Sequence, residues 1–207
     1  MKTKQVILLM PLLFLPLLLA GCWDKQELRD IAIVLGLGFD RTEAGELQLT
    51  VELAQRENGA DSGESVCFTA CGETRQAAEE ALEQLLDKQL FWGNLSLLLF
   101  GQGVSYSDMA AMTLTLYQDG RINSATPLFR SDDPAAAGLK GHFGEAAYVS
   151  QGLVQAVERD QRDSTGVYCL ADHLEQLVNG VAEREVPTVG VNEAGEVYLE
   201  AKRDNKR

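Results

Sequence analysis

The sequence predicts an α+β fold: a mainly antiparallel sheet covered by amphipathic helices, after a cleaved N-terminal lipoprotein signal peptide. Three observations predict it. Apolar and polar residues alternate over residues 47–53, as in a half-buried strand. Apolar residues recur with helical spacing over residues 74–90. Two apolar runs near the C-terminus, residues 186–191 and 197–201, flank a turn and form a predicted hairpin.

The first part of the domain is predicted to contain three strands. Residues 31–39 are almost continuously apolar, which indicates a central strand buried on both faces. A turn at residues 40–46 joins it to the alternating strand at residues 47–53, and the two form a hairpin. Residues 56–64 are expected to be an exposed loop because they contain turn-forming pairs. Residues 65–71 then form a third strand.

Helices and buried strands alternate through the middle of the chain. The helix at residues 74–90 has one apolar and one charged face, and residues 95–101 supply a buried strand. Ser107 is a candidate cap for a second helix, whose apolar side would carry Met109, Met112 and Leu116. The short strand at residues 125–130 contains a proline, which favours an edge position.

Three more helices are predicted before the C-terminal hairpin, at residues 132–139, 145–160 and 168–181. The predicted organisation is a signal peptide at residues 1–21, an N-terminal α+β domain at residues 22–140, and a helical segment with the terminal hairpin at residues 141–207, a candidate start of a second domain.

The chain opens with the layout of a signal peptide. Lys2 and Lys4 precede an uncharged apolar run over residues 6–19. A helix of that length is shorter than a hydrocarbon core about 30 Å thick. Two prolines also interrupt the run, so a permanent transmembrane helix is not expected.

A lipid-attachment site is predicted directly after this run. Leu19, Ala20 and Gly21 precede Cys22, and the four resemble the lipobox of exported lipoproteins. We therefore expect cleavage before Cys22 and covalent diacylglycerol and N-acyl lipid on that residue, with no other cofactor. For Trp23 two interpretations stay open: a position at the membrane interface, and simple packing on the domain.

The composition is strongly acidic and restricts the classes of partner. The formal net charge is −13, and removal of residues 1–21 takes away Lys2, Lys4 and no acid, which gives −15. Nucleic acid is not an expected partner, because phosphate binding needs a basic face. An anionic lipid surface would also repel the domain. We therefore expect the segment Trp23-Asp24 to hold the domain at a distance from the membrane surface.

Few residues are candidates for catalysis or metal binding. The two histidines are His142 and His173, and Cys169 precedes His173 by four residues on a predicted helix. These two share a face, but no second pair has ligand spacing. Gly36-Leu37-Gly38 lacks the third glycine of a phosphate loop, and a strand bulge or close backbone packing explains it better. We predict no catalytic and no metal site.

The three cysteines that remain after Cys22 leave the question of disulfides open. Cys67 and Cys71 lie on one face of a predicted strand, about 13 Å apart, and cannot bridge each other. A bond from either one to Cys169 is one interpretation. The other interpretation is that the cysteines are small buried hydrophobic residues. Because three is an odd number, at least one thiol stays unpaired in either case.

A family resemblance is carried mainly by residues 21–40, where Cys22-Trp23-Asp24 precedes a charged segment and a glycine-spaced apolar strand ending in aspartate. This segment resembles the start of GerC-type spore germination lipoproteins, the C subunits of nutrient germinant receptors. Residues 70–74, 93–101 and 117–121 are also similar to segments of that family.

The chain departs from the family pattern at two places. Gly93 stands where a histidine is usual, and Tyr117-Gln118 stand where an arginine is usual. The family's further C-terminal domain is expected to be absent, and two interpretations stay open: a short member of the family, and a truncated gene product.

The resemblance implies a lipid-anchored, non-catalytic subunit on the outer face of the cytoplasmic (inner spore) membrane. Its role would be receptor assembly and signalling during spore germination, and its partners would be the multi-pass A and B subunits. The alternative is a solute-binding lipoprotein that feeds a transporter, which would need a deep cleft between two domains of similar size.

Overall fold

The computed structural model describes residues 30–57, 60–160, 167–179 and 186–200. The described strands are β1 (Ile31–Arg41), β2 (Leu47–Glu57), β3 (Ala60–Gly72), β4 (Gln89–Phe91), β5 (Leu97–Phe100), β6 (Leu128–Ser131), β7 (Thr188–Val191) and β8 (Val197–Leu199). The described helices are α1 (Arg75–Leu86), α2 (Tyr106–Asp119), α3 (Ala135–Lys140), α4 (Val149–Asp160) and α5 (Leu170–Asn179).

The described strands form one eight-stranded sheet in the order β3-β2-β1-β5-β6-β7-β8, and β4 also pairs with β1. The pairs β1–β2, β2–β3 and β7–β8 are antiparallel. The pairs β1–β5, β5–β6 and β6–β7 are parallel. The predicted α+β class is confirmed, and the sheet is mixed rather than mainly antiparallel. Parallel neighbours need a crossover, and α2 supplies the one between β5 and β6.

Apolar side chains of the sheet point into two separate cores, one on each face. The first core contains residues of α1 and α2, and the second contains residues of α3 and α4. Strand β5 contributes to both, because Leu98 and Phe100 belong to the first core and Leu97 and Leu99 to the second. Burial on both faces explains why this strand is apolar at every position.

The hairpin of β2 and β3 is longer than the sequence indicates. Arg56 pairs with Asp61 and Glu57 pairs with Ala60. The prediction of an exposed loop over residues 56–64 is therefore wrong for most of its length, and residues 58–59 lie outside the described part. The apolar alternation of β2 stops before these positions, so backbone pairing extends the strands where the side-chain pattern gives no signal.

Helix α1 begins as expected and ends early. The Thr74 side chain accepts a hydrogen bond from the Ala77 N–H and caps the first turn. After Leu86, Asp87 adopts the left-handed conformation with φ 50° and ends the helix. Leu90, predicted as the last residue of the helix, lies in β4 and is buried. The end of the helix could not be recognised in the sequence, because the left-handed residue that ends it is aspartate and not the usual glycine.

Two further details correct the sequence predictions. Ser105, not Ser107, caps α2, because Ser105 and Asp108 form a reciprocal capping box. The predicted apolar residues of this helix are buried as expected: Met109, Met112 and Leu116. Strand β6 is not at an edge but lies between β5 and β7. Pro127 precedes the strand, so its missing N–H does not interrupt the pairing of β6.

The C-terminal hairpin of β7 and β8 is confirmed, with a turn closed by the bond from the Asn192 N–H to the Glu196 carbonyl. Strand β7 pairs with β6. Residues 188–199, which the sequence placed in the 141–207 segment, therefore belong to the same sheet as the strands that precede residue 140.

Candidate functional site

The predicted lipid-attachment site lies outside the described residues. This holds for Cys22, for the lipobox residues Leu19, Ala20 and Gly21, and for Trp23. Cleavage, lipidation and the position of Trp23 therefore stay predictions. Among the helices of the described part, none combines the length and apolar character needed to cross a bilayer.

Two buried carboxylates of the sheet hold the first turns of two helices. Asp40 on β1 accepts hydrogen bonds from the N–H groups of Ala135 (2.7 Å) and Ala136 (2.9 Å) at the start of α3. Glu52 on β2 accepts from the N–H groups of Val149 (2.7 Å) and Ser150 (3.1 Å) at the start of α4. A helix N-terminus carries free N–H groups and partial positive charge, so each carboxylate serves as a cap supplied from the sheet.

Both carboxylates are buried away from solvent. Glu52 is fully buried, and Asp40 is 4% exposed. Burial raises the pKa of both groups, and the hydrogen bonds from the helix N–H groups partly offset that effect. Both groups have a structural use that accounts for their presence in the core.

Gly36 and Gly38 let α3 and α4 approach the sheet closely enough for these bonds. A Cβ atom on Gly36 would lie 3.0 Å from Leu139 Cδ2 and 3.2 Å from Glu52 Oε2. One on Gly38 would lie 3.0 Å from Ala135 Cβ. The pairing of β1 and β2 also shifts register just before Gly36. The interpretation of this glycine pair as a site of close packing is therefore confirmed.

On the other face of the sheet, four charged side chains join α1 to the end of α2; we call them the four-charge cluster (Arg75, Glu79, Asp119 and Arg121). Arg75 forms ion pairs with both Glu79 and Asp119. Arg121 Nη2 lies 2.9 Å from Glu79 Oε2 and 2.7 Å from Asp119 Oδ2. Each carboxylate thus meets both guanidinium groups, and the cluster has no net charge.

The four-charge cluster is only partly open to solvent. The Glu79 side chain is 9% exposed and that of Asp119 is 12% exposed. The hydrogen bond from Arg121 is the main reason why the pKa of Asp119 falls from 3.8 to about 2. The Arg121 guanidinium also lies 5.8 Å from the centre of the buried Trp92 ring, a cation–π arrangement. Every charge is used within the cluster, which fixes two helices against each other.

His173 belongs to a buried hydrogen-bond network on α5. The Tyr168 hydroxyl donates to Gln176 Oε1 at 2.7 Å and lies 2.8 Å from His173 Nδ1. Because a hydroxyl has one proton, Nδ1 is the donor of the second bond. His173 is fully buried, and its Nε2 has no partner among the described residues. Burial lowers the pKa of this histidine.

The other candidates for metal or redox chemistry are His142 and the three thiols. His142 is exposed and bonds through its backbone to Gly195. The three thiols Cys67, Cys71 and Cys169 are free. In the part of the chain that the structure describes, no group of three or more histidine, cysteine or acidic side chains could hold a metal ion.

Cys67 is a part-buried thiol that serves packing. Its Sγ donates to the carbonyl oxygen of Leu139 at 3.1 Å. Burial and the nearby Glu52 raise its pKa to about 12, which keeps it a thiol. The interpretation of this cysteine as a small hydrophobic residue fits these contacts.

The two carboxylate caps and the four-charge cluster are not predicted by the sequence pattern. Glu52 stands at a polar position of a predicted strand, where a solvated face is the usual expectation. Asp40 falls in the predicted turn at residues 40–46, but β1 continues to Arg41 and contains it. The members of the cluster come from segments more than 40 residues apart, as the bond from Arg75 to Asp119 spans 44 positions. The only signal was indirect, since residues 70–74 and 117–121 are among the segments with family resemblance.

Fold and site together define the class of protein: an α+β domain with one mixed sheet and helices on both faces. Buried carboxylates tie two helices to the sheet, and partly buried ion pairs tie two helices to each other. The family model described as "Spore germination protein N-terminal domain" matches residues 24–187. The chain therefore belongs to this family of spore germination proteins, and the resemblance to GerC-type proteins is confirmed.

Curated relatives come from Bacillus subtilis (strain 168). The chain is 35% identical to "Spore germination protein KC" over 57 residues, which are 28% of this chain and 14% of that protein. It is 29% identical to "Spore germination protein A3" over 111 residues, which are 52% of this chain and 30% of that protein. The chain thus spans less than a third of the relatives it matches. No solved structure matches it significantly.

Proposed function

We propose that this chain is the lipid-anchored, non-catalytic C subunit of a spore nutrient germinant receptor, and that it acts in assembly of the receptor and in signalling during germination. The observation that carries the proposal is the family match over residues 24–187, which begins two residues after the candidate lipid site at Cys22. Its partners are the multi-pass A and B subunits, and it lies on the outer face of the inner spore membrane.

The architecture supports a role in binding rather than in chemistry. Each carboxylate of the two helix caps and of the four-charge cluster already has partners within the domain. The thiol of Cys67 is held protonated, and the buried His173 is bonded to Tyr168. The caps and the cluster attach helices to the sheet and to each other, and an assembly subunit needs elements fixed in this way to present a defined surface to other chains.

The anchor is tested by labelling with radioactive palmitate. Wild type is expected to incorporate label and to sediment with membranes, whereas Cys22→Ala loses the label and enters the soluble fraction. Cys71→Ala is the matched control, because it removes an exposed thiol that plays no part in the proposal. Label that persists in Cys22→Ala, or loss of label in Cys71→Ala, contradicts the anchor.

The receptor role is tested in spores that carry an affinity-tagged chain. After extraction of the inner membrane with detergent, two multi-pass proteins of the receptor should co-purify with the tagged chain. Spores without the chain should fail to respond to at least one nutrient, and wild type should restore the response where Cys22→Ala does not. Co-purification with transporter ATPases instead would favour the solute-binding alternative.

A further inference from the structure

The sheet ends in two edges of very different length. At one end β8 has three residues, Val197–Leu199. At the other end β3 has 13 residues, Ala60–Gly72, and no described strand pairs with its outer side. A long edge presents a row of free N–H and C=O groups, whereas a short edge offers too few for stable pairing.

The features with which proteins usually protect an edge are confined to the first part of β3, where Asp61 and Glu64 carry charge, and are missing from residues 65–72. Strand β3 contains no proline, lysine or arginine. Its pairing with β2 is regular from Ser65 to Gly72, and the register shift occurs only opposite the stretch between Ala54 and Arg56. The stretch from Ser65 to Gly72, which is regular and has no partner strand on its outer side among the described residues, is a template for another strand.

We propose that the outer edge of β3 pairs antiparallel with the same edge of a second copy of this chain, which joins the two sheets into one. Facing residues of an antiparallel pair point to the same side of the sheet. The twofold axis must therefore lie midway between one residue and the same residue of the second copy. Among the regular positions Ser65 to Gly72, Phe68 and Thr69 are the central ones.

The axis lies at Thr69. There Phe68 faces Ala70 of the second copy, so a large side chain meets a small one on the side of the first core. An axis at Phe68 would instead oppose two rings that already pack against their own cores. Thr69 faces its own copy, and this continues a polar row, because Thr69 Oγ1 already lies 3.0 Å from Thr50 Oγ1 within the chain.

Charge permits this pairing and predicts its salt dependence. Residues 65–72 carry no ionisable acid or base other than the thiols, and in this register Glu73 faces Ser65 of the second copy. No like charges therefore lie directly opposite. The whole chain nevertheless has a net charge of −13, so two copies repel at long range. Added salt screens that repulsion, and the dimer should tighten as ionic strength rises.

A charge-swap experiment tests the proposal. The full chain is purified in detergent, and its mass is measured by sedimentation equilibrium over a range of concentrations. Wild type is expected to form dimers. Thr69→Lys and Thr69→Glu each place like charges at the axis, and each should weaken dimerisation about 100-fold. An equal mixture of the two variants should dimerise again, because opposite charges then meet. Thr115→Lys, on an exposed position of α2, is the control and should dimerise like wild type.

A second measurement tests dimerisation on wild type alone, so that it does not depend on whether the variants fold. Amide exchange at residues 65–72 should slow as the protein concentration rises, because the edge N–H groups gain partners. The proposal is overturned if wild type stays monomeric, if either variant dimerises as wild type does, or if the mixture stays monomeric. Exchange at residues 65–72 that does not change with concentration overturns it as well. The proposed receptor role does not depend on this outcome.

Discussion

Asp40 and Glu52 show how a single side chain can position a whole helix. Each carboxylate projects from the sheet and accepts two backbone N–H groups from the first turn of a helix, α3 and α4 respectively. These N–H groups have no partner within their own helices. Because the caps come from strands β1 and β2, the two helices are attached to the sheet at defined points rather than by apolar contact alone.

Replacement of Glu52 by alanine should destabilise the domain by about 2–4 kcal/mol, because the N–H groups of Val149 and Ser150 would be left buried without an acceptor. The free energy of unfolding is measured by urea titration followed by circular dichroism. Glu46→Ala is the control, because Glu46 lies exposed in the turn before β2. A loss no larger than that of the control would mean that the cap contributes nothing.

His173 should make the stability of the domain sensitive to mild acid. Because burial lowers its pKa below 6.5, the unfolded chain takes up a proton more readily than the folded protein. The stability that comes from neutral His173 is therefore complete above pH 6.5 and is lost as the pH falls through its lowered pKa. Thermal unfolding at several pH values should show a smaller loss in His173→Asn than in wild type. His142→Asn, at the exposed histidine, should keep the full loss, and an equal loss in His173→Asn would contradict the assignment.

At the scale of elements, the sequence predicted what side-chain periodicity can encode. The alternation of β2 and the continuous apolar run of β1 predicted their hairpin, and the helical spacing after Thr74 predicted α1. Features held by the backbone gave no such signal. The extension of β2 and β3 beyond Leu53 depends on pairing alone, and the end of α1 depends on the left-handed Asp87.

The four-charge cluster acts between elements, because it fixes the start of α1 to the end of α2. Arg121→Met removes the guanidinium that meets both Asp119 and Glu79, and it should cost about 1–3 kcal/mol in urea titration at neutral pH. Arg130→Met is the matched control, because Arg130 forms only a loose pair of 3.9 Å with an exposed aspartate and should change stability little.

The pH dependence of the same variant separates the ion pairs from simple packing. The pKa of Asp119 is lowered from 3.8 to about 2, so its contribution to stability is present above pH 3.8 and is lost as the pH falls towards 2. Arg121→Met should lose less stability than wild type over this interval. Parallel loss in both proteins would show that the bond from Arg121 to Asp119 does not contribute to stability.

At the scale of the whole molecule, the order of the strands could not be predicted from the sequence. Hairpins join neighbours in sequence and are visible in turn residues, but β1 and β5 are parallel neighbours separated by three strands and a helix. Such pairing depends on which apolar faces fit together in three dimensions, and β5 is apolar at every position. The two buried caps could not be found for the same reason, because each joins residues about 95 positions apart.

This long-range connectivity predicts that the chain does not fold when it is cut at residue 140, the boundary that the sequence suggested. A chain from Trp23 to Lys140 would lack the α4 residues Leu153 and Val157 and the hairpin residues Val189 and Val197, which make up much of the second core. Leu97, Leu99 and Phe129 would then face water, and Glu52 would lose both of its donors.

A chain from Trp23 to Glu200 is the control, and it should unfold in one cooperative thermal transition followed by circular dichroism. The shorter chain should show no such transition, because burial on one face alone leaves too little apolar area to offset the entropy of folding. A cooperative transition in both chains would instead establish residues up to 140 as an independent domain.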